Sequence, residues 1–108
     1  SRKLVIKGVD GIILVVDSQV GCLDMNVESY LDMWENLADQ NDNPFDLGMA
    51  MQFNKRDLSD IFPVEDLNDL LNHTKAPYFE TCALTGVGVF ETLRNVSKQV
   101  ITKTEAGH

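Results

Sequence analysis

Three polar residues within a span of four, Asn54, Lys55 and Asp57, offer an amide, a cation and a carboxylate in one short segment. A carboxylate presents two acceptors side by side, so Asp57 can take two neighbouring donors at once. Charge-assisted bonds of that kind are the strong ones. Guanine carries such a donor pair in N1–H and the exocyclic N2 amino group. Adenine has a lone pair at N1 and no amino group at C2, so against adenine Asp57 is left desolvated and unpaired. A site built on such bonds rejects the wrong ligand by several kcal/mol, roughly 10⁴-fold in favourable cases. The Asn54 amide can donate to N7, and the aliphatic stem of Lys55 can lie along a base and ribose while its ammonium stays wet. The same letters also suit a plain strand-to-helix loop, with Asp57 capping a turn and Lys55-Arg56 a solvated pair.

The elements that must position these residues are legible as alternating short runs. Gly11-Ile-Ile-Leu-Val-Val-Asp17 has consecutive aliphatics without alternation, which predicts a strand buried on both faces. Gly48-Met-Ala-Met-Gln-Phe-Asn54 and Pro77-Tyr-Phe-Glu-Thr-Cys-Ala83 predict two more, each beginning at or just after a Gly or Pro. Between the first two, Val27, Tyr30, Leu31, Trp34, Leu37 and Ala38 fall on one face of a helix. Asp24 or Asn26 is placed to cap it, and Asn41 to Pro44 to end it. A second helix is expected from Pro63, with Val64, Leu67, Leu70 and Leu71 inward. A third is expected from about Val89 to Thr102, with Val89, Leu93, Val96 and Val100 inward and Phe90 and Ile101 widening the stripe. Met49, Met51 and Trp34 read as packing residues. Strand, helix, strand, helix, strand, helix predicts a parallel sheet with right-handed crossovers. Ligands of such sheets bind beyond the carboxyl ends of the strands. That directs attention to Asp17-Ser18-Gln19, to Asn54–Leu58 and to Cys82–Gly88.

The last strand runs into Glu80-Thr81-Cys82-Ala83-Leu84-Thr85-Gly86-Val87-Gly88-Val89-Phe90. Taken with Asn-Lys-x-Asp, this resembles the small Ras-like GTPases, which carry a loop of the type Glu-Thr-Ser-Ala-Lys here, then a Gly and the last helix. The resemblance implies that the Ala83 backbone N–H donates to guanine O6, and that Cys82 and Leu84 flank the base. Cys82 stands where serine is usual. Leu84 stands where lysine is usual, which removes a side chain that would pack over the base. Arg2-Lys3-Leu4-Val5 with Gly8-Val9-Asp10-Gly11, Asp17-Ser18-Gln19, Asn54-Lys55-Arg56-Asp57-Leu58 and Thr85-Gly86-Val87-Gly88-Val89-Phe90-Glu91-Thr92-Leu93 look most like the prokaryotic MglA-type GTPases. Those act in cell polarity and gliding motility, with a roadblock-domain GTPase activator. The implied fold is a three-layer, P-loop NTPase-like (Ras-like) α/β fold, of which residues 1–108 would form the C-terminal half, about three parallel strands with three to four helices.

No Gly-x-x-x-x-Gly-Lys-[Ser/Thr] occurs. Without that loop nothing cradles the β- and γ-phosphates. No switch threonine or Asp-x-x-Gly is present, so GTP or GDP would be held by its base alone. Mg²⁺ and hydrolysis are expected only with the N-terminal half of the family's domain, and a phosphate loop is expected upstream in a longer protein. Arg2–Gly11 resembles the helix that follows the second switch. In the family the Ile12–Val16 strand pairs with a strand of the N-terminal half, so here it should present an open edge and promote self-association. The chain has a formal net charge of -8, which disfavours nucleic acid and anionic lipid as partners. No apolar run is long enough to span a membrane. Cys22 and Cys82 are too few and too far apart for a disulfide framework or zinc site, so reduced thiols and a cytoplasmic setting are expected. His73 reads as a surface residue. Glu28, Asp32, Glu35 and Asp39 form a solvated face that can also dock a basic partner. Two further readings share the topology. One is a nucleotide-free interaction module. The other is a response-regulator receiver, which fits less well because the acidic cluster and the Lys-Pro after the last strand are missing.

Overall fold

A computed structural model describes residues 5–7, 11–39, 47–82 and 84–106, with side chains for 11–39, 47–82 and 84–103. The strands are β1 (Val5–Lys7), β2 (Gly11–Asp17), β3 (Gly48–Asn54) and β4 (Tyr78–Glu80). The helices are α1 (Leu23–Asp39), α2 (Val64–Leu71) and α3 (Val89–Ala106), with a 3₁₀ turn at Val20–Cys22 leading into α1. The strands form one sheet in the order β1-β2-β3-β4. β2, β3 and β4 are parallel, and β1 is antiparallel to β2.

The aliphatic run of β2 is buried on both faces because helices cover both. Ile12, Leu14 and Val16 pack with Met49, Met51 and Phe53 against Tyr30, Met33 and Leu37 of α1 and Leu67 and Leu71 of α2. Ile13 and Ala50 face the other way, against Val96 of α3, with Val15, Phe79 and Val100 alongside. The result is three layers: α1 and α2, the sheet, and α3. The last helix sits close to the strands because Gly11 leaves room for it. A Cβ on Gly11 would lie 2.7 Å from Val96 Cγ1.

Several expectations are corrected. Within Arg2–Gly11, Val5–Lys7 is a strand rather than a helix, pairing Val5 with Leu14, Ile6 with Ile13 and Lys7 with Ile12. An unpaired row of β2 backbone groups is best satisfied by the nearest extended segment, and here that segment lies directly before β2 in the chain. The edge of β2 is therefore covered at Ile12–Leu14, part of the Ile12–Val16 stretch expected to be open.

Both long helices are turned from their apolar stripes. On α1, Asn26, Ser29, Tyr30, Met33 and Leu37 are buried and Trp34 is partly so, while Leu31 is 59% exposed and Val27 and Ala38 also face outward. On α3, Thr92 and Val96 are buried, whereas Phe90, Leu93 and Ile101 are exposed. On α2, Leu67 and Leu71 are buried and Leu70 is exposed. Asn26 does not cap α1, because its side chain is engaged with β2. The expected helix end at Asn41–Pro44 lies outside the described residues. β4 is shorter than the predicted Pro77–Ala83 run, although the Thr81 N–H still donates to Phe53 O at 2.9 Å.

The polar residues turned inward explain the rotation. β4 begins opposite Met51, so the Met49 backbone has no strand partner on that side. Gln99 of α3 supplies one: its Nε2 donates to Met49 O at 2.8 Å and its Oε1 accepts from Met49 N at 3.0 Å. Thr92 is fully buried with its hydroxyl satisfied locally, Oγ1 donating to Gly88 O at 2.8 Å across the first turn of α3.

Gly88 joins β4's loop to α3 with φ +77, and a Cβ there would meet Glu80 O at 2.3 Å and Thr81 Cγ2 at 2.8 Å. A left-handed conformation alone costs a non-glycine residue about 1–2 kcal/mol. Gly88→Ala is therefore expected to lower unfolding free energy by at least about 2 kcal/mol in urea titrations, because the clash adds to that cost. A change within about 0.5 kcal/mol, the usual range for neutral surface substitutions, would contradict this packing.

Candidate functional site

The three parallel strands end level with one another. Asp17 is the register partner of Asn54, and the ladder continues through Ser18 N–H to Asn54 O at 3.2 Å. On the other side, Arg56 N–H donates to Thr81 O at 3.3 Å, and Thr81 Oγ1 lies 3.2 Å from Asn54 Oδ1. The segments after β2, β3 and β4 are thus tied together at the carboxyl edge, where open α/β sheets bind ligands.

The Asp17 carboxylate is the central charge of this edge. The residue is 6% exposed. Its Oδ1 accepts from Gln19 N–H and Gln19 Nε2, both at 3.1 Å, and its Oδ2 accepts from Gln19 Nε2 at 3.2 Å. The Lys55 ammonium lies 2.9 Å from Oδ2. Asn26 of α1 clamps the backbone of the same residue, accepting from Asp17 N–H at 3.1 Å and donating to Asp17 O at 2.7 Å. Burial alone would push the Asp17 carboxyl up, but the Lys55 and Gln19 hydrogen bonds and the Lys55 charge together hold it below its ordinary value. Lys55 is pushed up, first by its hydrogen bond to Asp17 and then by that residue's charge. Cys22 is also pushed up, by burial first and then by the neighbouring Asp17 charge.

Two features fix the Asn54–Leu58 segment. Lys55 has φ 63, a conformation rare for a residue with a side chain, and its carbonyl accepts from Leu58 N–H at 3.2 Å in a tight turn. Arg56, which in the plain-loop alternative would be part of a solvated pair, is a staple instead. It donates to Phe62 O at 2.6 Å and lies 3.3 Å from Glu80 Oε1. Neither cation of the motif is merely solvated.

A cavity of about 300 Å³ opens here, lined by Gln19, Asn54, Lys55, Asp57, Leu58, Cys82 and Leu84. It brings together five of the six residues proposed from sequence; the sixth, Ala83, lies outside the described residues. Asp57 is exposed, with its carboxylate open to a ligand, while Asn54 is only partly so. Leu84 is 93% exposed at the rim. The loop beneath it is closed by Cys82 N–H to Val87 O at 3.0 Å and Gly86 N–H to Cys82 O at 2.8 Å. An acceptor pair, an amide and apolar walls can bind a flat heterocycle with adjacent donors.

Sequence reasoning pointed to the strand end at Asp17–Gln19 without giving either side chain a role. The signal was available as a carboxylate ending an otherwise aliphatic strand, which needs a buried cation or amide as partner. Ser18 is fully buried, and its Oγ has no partner among the described residues.

A larger cavity of about 530 Å³ lies at the amino end of β4, lined by residues that include Asn72, His73, Lys75 and Tyr78. It lacks converging strand-end loops, so the smaller cavity is the better candidate. His73 is exposed there, with its Nδ1 2.7 Å from the hydroxyl of buried Tyr30. Cys22 and Cys82 are both free, and among the described residues no cluster of His, Cys, Asp or Glu is arranged to hold a metal.

The architecture is part of a Ras-like, P-loop NTPase-like α/β fold. The chain is 43% identical over 107 residues, 99% of its length, to the mutual gliding-motility protein MglA of Myxococcus xanthus (strain DK1622). It spans 55% of that relative's length. No model of a known protein family matches the chain. The sequence is MglA-like throughout, and the likeness supports the small-GTPase family.

The ion pair sets a pH dependence. A carboxyl whose folded pKa is depressed stabilises the fold above its unfolded value, ordinarily 3.8, and that contribution is lost as pH falls through the lower folded value. A lysine whose folded pKa is raised stabilises fully below its ordinary 10.5, and its contribution is lost as pH rises through the higher folded value. Between these limits the stability gap between wild type and Asp17→Asn is expected to be flat, and it narrows in acid below 3.8. Urea midpoints across pH measure it. A gap unchanged through the acid range would contradict the charged pairing.

Proposed function

We propose that residues 1–108 are the guanine-recognition half of a small-GTPase domain, a molecular switch that binds GTP and GDP and hydrolyses GTP only when the domain is complete. The observation that carries this reading is the convergence of Asn54, Lys55, Asp57, Cys82 and Leu84 on one cavity at the carboxyl ends of parallel strands. Asp57 accepts from guanine N1–H and N2–H, and Asn54 donates to N7. Lys55 lays its stem along the base and ribose, and the Ala83 N–H donates to O6.

Exposed apolar residues on both outer layers, Leu31 at 59% and Phe90 at 61%, suit a chain that packs against the rest of a larger domain. In that domain the phosphate loop and switch segments would supply the phosphate and Mg²⁺ contacts. By likeness to MglA, the whole protein would act in the cytoplasm in gliding motility and cell polarity, with a roadblock-type GTPase activator as partner. Nucleic acid is not among its expected ligands. No helix among the described residues is long and apolar enough to cross a membrane.

The test is a chemical-shift titration of the isotope-labelled chain with GDP and, separately, ADP, at about millimolar concentration, because affinity without phosphate contacts is weak. Shifts at Asn54, Asp57 and Leu84 are expected with GDP and not ADP. Asp57→Ala is expected to weaken GDP by about 10–100-fold, from the loss of charge-assisted bonds, and to erase the preference. Equal responses to the two nucleotides, or an Asp57→Ala variant that keeps its preference, would refute the reading.

A further inference from the structure

We propose that Asp17 is a positioning residue of the base site: its buried carboxylate anchors the Lys55 ammonium, so that the lysine's aliphatic stem is already laid across the cavity as a surface for a planar purine. The inference rests on the guanine-binding reading above and assigns a role to a residue outside the Asn-Lys-x-Asp segment.

The Lys55 side chain is pinned at both ends. At the backbone end, φ 63 and the turn closed by Leu58 N–H set the direction in which Cβ leaves the chain. At the far end, Nζ is 2.9 Å from Asp17 Oδ2. Lys55 lines the cavity, so the methylenes between those fixed points form part of its wall. An unanchored lysine samples many rotamers, and a ligand that orders it loses that freedom from its own affinity. Anchoring before binding removes the penalty.

Asp17 is suited to the task because it is itself immobile. Asn26 holds its backbone N–H and carbonyl, and β2 holds everything before it. The same carboxylate also orders a second wall of the cavity. A carboxylate accepts and does not donate, so the Gln19 group 3.1 and 3.2 Å from its two oxygens is the amide nitrogen. One buried charge therefore fixes two lining side chains, on segments that follow different strands. Its lowered proton affinity keeps it ionised across the neutral range.

Asp17→Asn preserves shape and removes the charge. Lys55→Met preserves the stem and removes the anchored head, and it serves as the independent variant should Asp17→Asn fold poorly. Both are compared with wild type and with the double variant by GDP and ADP titration. Folding is checked by urea midpoint, and Lys55 side-chain mobility is followed by NMR relaxation at Cε.

The expected result is an ordered Lys55 Cε in wild type that becomes mobile in Asp17→Asn, with GDP affinity about tenfold weaker. The double variant should be no weaker than the poorer single one, because both substitutions remove the same interaction. Three results would overturn the inference while leaving guanine recognition intact: a Lys55 that stays ordered in Asp17→Asn, GDP affinity unchanged when order is lost, or additive losses in the double variant. A wild-type chain with no preference for GDP over ADP would overturn the guanine reading and this role with it.

Discussion

The carboxyl edge of the sheet depends on one buried negative charge, that of Asp17. A carboxylate removed from water is costly unless it is paired and hydrogen-bonded. Here an ammonium, a side-chain amide and a backbone N–H all converge on it. Each donor belongs to a segment that must be held: Lys55 to the loop after β3, and Gln19 to the exit of β2. Asn26 secures the same strand end from α1 by bonding its backbone. Satisfying the charge and shaping the cavity are therefore one requirement. The unusual backbone of Lys55 fits this account, since local strain persists only where surrounding contacts over-determine it.

The same logic governs how the helices dock. Apolar area drives α1 and α3 onto the sheet, but it leaves their rotation loosely defined. Buried hydrogen bonds fix it: Asn26 to Asp17 on one face, and Gln99 to Met49 on the other. An unpaired backbone group at the sheet would cost about 1–3 kcal/mol, comparable with burying one more aliphatic side chain. The helices turn to satisfy the strands, and Leu31 and Leu93 are left facing outward.

That is why the sequence was legible in some places and not in others. β2 and β3 were readable because helices cover both faces and their runs are almost wholly apolar, with Gln52 the interruption in β3. The position of the Asn54–Asp57 segment was readable because its polar residues end a buried strand. The helix faces were misjudged because counting apolar residues gives no weight to an asparagine, threonine or glutamine that is buried to bond the backbone. β1 was missed because Val5–Lys7 was read by its likeness to a helical segment, whereas its strand pairing depends on a neighbouring edge that local pattern does not show. The Asp17–Lys55 pair joins residues far apart in sequence, and only the parallel register of β2 and β3 brings them together.

The central claim, that Asp57 reads the donor edge of a guanine base, is tested most directly by changing that edge and the residue together. Asparagine at this position offers one acceptor and one donor, which match xanthine, whose ring has N1–H beside a C2 carbonyl. Titrating wild type and Asp57→Asn with GDP and xanthosine diphosphate should show a preference for GDP in the first and for xanthosine diphosphate in the second. An Asp57→Asn chain that still prefers GDP would mean that Asp57 does not read the base.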